Sequence, residues 1–237
     1  MSEISANLER VRARMAEALV AAGRRDAVTL IAVSKTYPID TITDALRVGQ
    51  TVFGESTAQE ALPKIEYFRR ESLNWHFIGH LQSNKAKHVP GNFAWLHSLD
   101  SLALAQRLSR LAQAQQAQLN VLIEVNVTRD PAKHGVIPDQ LFPLLDQLLA
   151  QPLPGIHLRG LMTIGPHAVP TTESRRVFAA LRELRDQTKT RFALPSFDML
   201  SMGMSDDYPE AILEGSTMIR VGTAIFGQRN YSKSISK

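Results

Sequence analysis

Cysteine is missing altogether from the chain. Without it there is no disulfide staple, no thiolate nucleophile and no cysteine-ligated zinc, a composition that suits a reducing compartment. Long apolar runs are missing too: nothing approaches the roughly 18 consecutive apolar residues of a membrane span. The opening stretch MSEISANLERVRARM mixes both charge signs among its apolar residues and lacks the continuous apolar segment of a signal peptide. A soluble, cytoplasmic protein with no membrane partner is expected. Blocks of one charge are also scarce. The 27 Lys+Arg and 23 Asp+Glu leave a net charge of +4, scattered and without a basic stripe interleaved with aromatics. A nucleic-acid partner is therefore not expected.

What is present suffices for a large core. Hydrophobic residues make up 44% and charged residues 21% of 237 positions, which is a globular composition. The length fits one α/β barrel of about 200–250 residues. Ile4, Leu8, Val11, Met15 and Leu19 recur at spacings of three and four, a helical stripe closed by Gly23. Apolar, β-rich runs follow at 29–33, 51–53, 75–78, 95–99, 121–127, 156–163, 197–202 and 218–221. Helical patterns separate them at 40–48, 57–70, 84–88, 100–118, 138–150, 172–191 and 206–214. Pro63 should delay or kink the second of these, and Asp100 is the expected N-cap of the fourth.

Strands alternating with helices imply parallel βαβ units. Eight near-continuous apolar strands favour closure into a single (β/α)8 TIM-type barrel with an additional N-terminal helix. That extra helix can stand in for the missing last helix, since little chain follows the eighth strand. No linker, repeat or low-complexity tract divides the sequence. One domain over 1–237 is expected, with a helix at 1–25, the barrel at 26–230 and a tail at 231–237.

In such a barrel the C-terminal strand ends and following loops carry the chemistry. The first strand ends on Lys35 in LIAVSKTYP, either a snorkelling stem or an amine held for reaction. Metal and nucleotide readings fail. GTAIFGQR lacks the Lys-Ser/Thr of a phosphate loop, and there is no G-x-S-x-G elbow. His76 and His80 lie about 13 Å apart if both are on one strand, and Asp206 and Asp207 read as helix caps. No metal site is expected.

Ser201, Gly203, Gly222 and Thr223 sit at the ends of strands seven and eight, the recurrent phosphate position of the fold. Glycines let amides approach an anion and hydroxyls add donors. Strands one and eight are neighbours in a closed barrel, so Lys35 and Arg220 would share the mouth. Burial beside a cation favours the neutral amine that attacks an aldehyde. An amine facing a phosphate cup suggests a Schiff base with pyridoxal 5'-phosphate.

At these motifs the sequence resembles the pyridoxal phosphate homeostasis protein family, which is similar in fold to the N-terminal barrel of alanine racemase. The matching stretches are LIAVSKTYP, FGES followed by Gln59 and Glu60, WHFIGHLQSNK, GLMTIG, LSMGMSDD and GSTMIRVGTAIFG, spanning about 28–231. The resemblance implies that Lys35 is the Schiff-base lysine, that Ser201, Gly222 and Thr223 hold phosphate, and that Arg220 faces the pyridine nitrogen. It also implies that Asn84 and Met162 line the pocket; Asn126 is added from its strand-end place alone. One departure stands out: the family usually has an asparagine and an aromatic residue after FGE, where this chain has Ser56 and Thr57. A contact made there by a longer side chain is lost or bridged by water.

An arginine at the ring nitrogen stays protonated and weakens the cofactor as an electron sink. The similar racemases compensate with a second base, a tyrosine supplied from another domain and a partner subunit. Of Tyr37, Tyr67, Tyr208 and Tyr231, only Tyr37 has an evident route to the mouth. The expectation is a monomeric, non-catalytic carrier in pyridoxal phosphate and vitamin B6 homeostasis, passing the cofactor to apo-enzymes by transimination. The alternative is a racemase-like enzyme. Lys64, Lys85, Lys87 and Lys133 read as solvated surface charges.

Overall fold

The computed structural model describes residues 2–228. Eight parallel strands close into a barrel in chain order. They are β1 (Thr29–Val33), β2 (Val52–Glu55), β3 (Asn74–Phe77), β4 (Trp95–Leu99), β5 (Leu119–Glu124), β6 (Ile156–Met162), β7 (Met199–Ser201) and β8 (Met218–Val221). The barrel closes where β1 pairs with β8, with Ile31 opposite Arg220 and Ala32 opposite Val221. Helices α1 (Glu3–Ala21), α2 (Ile39–Arg47), α3 (Ala58–Tyr67), α4 (Leu102–Ala114), α5 (Pro138–Leu149), α6 (Thr171–Phe192), α7 (Tyr208–Leu213) and α8 (Thr223–Phe226) surround it. Between β3 and β4 the chain makes only a 3-10 turn, Ser83–His88.

The strands read as nearly unbroken apolar runs because both faces are covered. One main core fills the space between sheet and helices, and a smaller cluster of Ile31, Leu122, Met162 and Met218 fills the barrel itself. Helix α1 packs on α7, α8 and α2, the place a full eighth barrel helix would take. Asn7 fastens it there by donating to the Ile225 carbonyl at 2.8 Å. The single-turn α8 is thus backed by the chain's own beginning.

Several boundaries differ from expectation. β5 stops at Glu124: the Val125 amide still donates to the Met162 carbonyl of β6 at 2.8 Å, but Val125 bridges Val136 of the following loop and the Asn126 amide donates to the Val136 carbonyl at 2.8 Å. Helix α4 is capped by Ser101, which accepts from the Leu104 amide at 3.4 Å, and not by Asp100. Helix α3 starts at Ala58 and runs through Pro63, with Thr57 as its cap. Asp207 stands at the N-cap position of α7, yet its carboxylate accepts from the Met204 amide at 2.7 Å and caps the preceding turn. At Gly160, opposite a register shift between β5 and β6, a Cβ would collide with the Met199 carbonyl of β7. Only glycine permits that strand contact. All eight strand ends therefore meet at one mouth.

Candidate functional site

At this mouth lies a cavity of about 540 Å³ whose lining includes Lys35, Arg220, Gly222 and Thr223. Four expected residues are thus brought together. A slightly larger hollow of about 580 Å³ opens near Asn120, Ile156, Arg159 and Ser196, at the starts of β5 to β7, and contains none of them. The mouth also receives Ser56, a strand-end residue of the sequence reading, and Asp206, read there as a helix cap, together with His167 and Ser205, which that reading passed over.

Lys35 is half-buried just past β1. The turn that carries it is tied down by buried charge. Ser34 donates to Glu55 Oε1 at 2.6 Å, and Lys64 Nζ reaches the same oxygen at 2.8 Å, the Ser34 carbonyl at 2.9 Å and Glu60 at 2.8 Å. The Thr36 amide donates to Glu60, and Thr36 takes a left-handed φ of 70°, uncommon for a β-branched residue. Lys64 is therefore buried structure and not the solvated charge expected of it. The sequence gives a signal for this in hindsight: Glu60 and Lys64 are one helical turn apart. Burial raises the Glu55 carboxyl, while the Lys64 charge opposes that rise.

Arg220 comes up from β8 and is almost entirely buried. Its guanidinium donates to Ser201 Oγ at 2.6 Å and to the Thr163 carbonyl at 2.8 Å. Below it runs a string of buried polar groups: Ser201 Oγ lies 2.8 Å from His97 Nδ1, and His97 Nε2 lies 2.9 Å from His76 Nδ1. Burial lowers the Arg220 pKa to about 10, with Glu124 and Asp207 holding it up. Glu124 ends β5, and burial pushes its carboxyl up to about 7 against the pull of Arg220.

Ser201 is accordingly a support for the arginine, fully buried and absent from the cavity lining. The serine of this loop that does line the cavity is Ser205, four residues on, which accepts from the amides of Gly222 and Ala224 at 3.3 Å each. It draws the loop after β7 against the start of α8. Gly203 does not line the cavity either. It takes a φ of 94°, accepts from the Arg220 amide at 3.0 Å, and stands where a Cβ would press on Ala211 at 2.6 Å. Its role here is close packing of the loop on α7.

The other expected residues scatter. Met162 is buried in the barrel's inner cluster. Asn84 is exposed on the 3-10 turn and is not part of the lining. Asn126 knits its own loop, donating to the Asp130 and Lys133 carbonyls and accepting from the Asp130 amide and Thr128 hydroxyl. Tyr37 donates its hydroxyl to the Gly227 carbonyl at 2.6 Å. Tyr208 is buried, Tyr67 is exposed, and Tyr231 and the tail lie outside the described residues. Lys85 and Lys87 are exposed, whereas Lys133 is half-buried and donates to the Gly165 carbonyl at 3.1 Å. His80 stacks on His134 at 3.8 Å. Among the described residues no three His, Asp or Glu groups are placed to hold a metal, and no helix is long and apolar enough to cross a membrane.

The sequence model described as alanine racemase, N-terminal domain, matches residues 1–230. A pyridoxal phosphate homeostasis protein of Haemophilus influenzae is 44% identical over 215 residues, covering 90% of each chain. One of Pseudomonas aeruginosa is 44% identical over 237 residues and covers both chains completely. Among solved structures, PipY of Synechococcus elongatus with PLP bound superposes with a TM-score of 0.83 at 37% identity, covering 94% of this chain and 100% of that one. With a closed barrel, a lysine and an arginine at its mouth, and these matches along almost its whole length, the chain belongs to the alanine racemase N-terminal domain family, among the pyridoxal phosphate homeostasis proteins.

Proposed function

We propose that the chain binds pyridoxal 5'-phosphate at the barrel mouth, holds it as a Schiff base on Lys35 and serves in intracellular pyridoxal phosphate homeostasis. The observation that carries this reading is one cavity lined by a half-buried lysine, a buried arginine and the hydroxyl-bearing loops after β7 and β8. The names of the relatives and the bound PLP of PipY support the choice of cofactor. The donor set also fits the group: an amine, a fixed cation and, on the loops after β7 and β8, Ser205, Gly222 and Thr223. When bound, the cofactor supplies an aldehyde that condenses with an amine and releases water, and a ring that withdraws electrons.

The chain's own residues divide the work. Lys35 supplies the amine. Arg220 presents its remaining N–H groups to the ring side, and because guanidinium stays charged it disfavours a proton on a facing nitrogen. Thr223, the Gly222 loop and Ser205 offer the phosphate hydroxyl donors and closely approaching backbone. Ser56, short and at the rim, leaves the β2 side open. An open mouth with the ring nitrogen kept unprotonated favours reversible holding over turnover, so the reading is a monomeric, single-domain carrier that releases its cargo to apo-enzymes by transimination. A racemase-like enzyme is the second reading, and one observation favours it: His167 lines the same cavity as Lys35, so an imidazole is available as a second proton-transfer group.

The test is an absorbance spectrum with added pyridoxal phosphate, followed by borohydride reduction and peptide mapping. The expected result is a phosphopyridoxyl group on Lys35 and loss of the imine band in Lys35→Ala. A label on another residue, or an imine band surviving that substitution, overturns the reading. Turnover of one amino-acid enantiomer that disappears in His167→Ala would select the enzyme.

A further inference from the structure

His97 lies on β4 with no exposed surface, and cofactor binding as described makes no use of it. Both of its ring nitrogens are engaged, and the direction of those bonds is set from the arginine end. A guanidinium has donors and no acceptor, so Arg220 must donate to Ser201 Oγ. The serine proton then goes to His97 Nδ1. His97 therefore keeps its own proton on Nε2 and donates it to His76 Nδ1, which leaves the His76 proton on Nε2. The opposite order would strand the Ser201 proton in a fully buried place without an acceptor, at a desolvation cost. His76 Nε2 is buried with no partner among the protein groups, so the string ends on a donor that calls for an internal water.

We propose that His97 is a positioning residue: its unprotonated Nδ1 draws the Ser201 proton, fixing the serine oxygen as the acceptor that pins Arg220 beneath the mouth. The charged and titratable groups around it agree with a neutral string. His97 faces His76 and Arg220, and Arg220 in turn faces Glu124 and Asp207. Burial, the His76 ring and the arginine charge hold His97 well below the histidine range, and burial takes His76 to about 3. The string thus adds no positive charge beside the guanidinium. Its consequence for the cofactor rests on the functional reading above; the proton order does not.

Nitrogen-15 NMR of the imidazoles in the cofactor-free chain tests the proton order directly. Both rings should be Nε2-protonated and unchanged between about pH 5.5 and 8.5, where ordinary histidines titrate. A proton on His97 Nδ1, or titration within that range, overturns the proposal. Titration with pyridoxal phosphate tests the consequence. His97→Phe should weaken retention about tenfold, the upper order expected for one lost hydrogen bond between neutral groups. His97→Asn, whose amide oxygen can accept in place of Nδ1, should recover most of that loss. An Asn variant as weak as Phe, or a Phe variant equal to the parent, overturns it. If His97→Phe does not fold, Ser201→Ala must show the same weakening. Should the parent form no imine band, the cofactor reading fails, while the NMR result still judges the proton order.

Discussion

Behind Lys35, at the end of β1, the buried groups are charged: Glu55 and Lys64, with Glu60 at the edge. Behind Arg220, across the β1–β8 seam, the nearest partners are neutral: a serine hydroxyl, a backbone carbonyl and two uncharged imidazoles. The difference follows what each cation is held by. Lys35 is positioned through its backbone, because the ion cluster binds the Ser34 carbonyl and, through Glu60, the Thr36 amide. Its side chain is half-buried at the mouth. Arg220 is positioned through its head group, whose planar fork can be pinned at two points while other N–H groups remain for the cavity. The two cations at the mouth thus rest on opposite forms of support.

The comparison can be broken most severely at Lys64. In Lys64→Met, Glu55 keeps its serine but loses its counter-charge in a fully buried place. Removing one partner of a buried pair costs roughly 3–5 kcal/mol, to be read from urea unfolding. A loss well below 1 kcal/mol would mean that the cluster is not what holds the β1 end.

Glu124 sharpens the other side. Its carboxyl titrates at about 7 in the fold against an ordinary 4.5. The folded chain therefore keeps a proton that the unfolded chain has released, and stability falls as pH rises through that window. A gap of about 2.5 pH units at roughly 1.36 kcal/mol per unit amounts to about 3 kcal/mol. Glu124→Gln should match the parent near pH 4.5 and exceed it by up to that amount above pH 7. Some slope should remain from Glu55, which burial also raises. Parallel urea midpoints at pH 5, 6, 7 and 8 would contradict the assignment. The smallest effect is expected at Thr36, whose left-handed φ of 70° costs about 1–2 kcal/mol in an L-residue. Thr36→Gly should gain about 1 kcal/mol at most, since glycine also loses more chain entropy on folding. A destabilised variant would place the turn's strength in the Thr36 side chain.

Much of the barrel is legible in the chain. Alternating apolar runs and helical stripes locate its strands to within a few residues, and Lys35, Arg220, Gly222 and Thr223 read as mouth residues simply by ending strands. The neighbouring inferences failed for identifiable reasons. Ser201 ends a strand too, but it turns inward beneath Arg220, and Ser205 of the next turn lines the cavity in its place. Lys64 looks like a helix-surface charge until β2 places Glu55 against it. Asp100 resembles a cap only because Ser101 beside it is an equally good one.

The sequence by itself determined the alternation, the closure into a parallel barrel and the presence of an amine and a guanidinium at adjacent strand ends. These depend on local period and on hydrophobicity, which each segment carries alone. The pairing of His76 with His97, of Ser201 with Arg220 and of Glu55 with Lys64 was decided only by the tertiary structure. Each depends on which face of a strand meets which neighbouring strand or helix, at separations of 21, 19 and 9 residues. No local period records such a meeting.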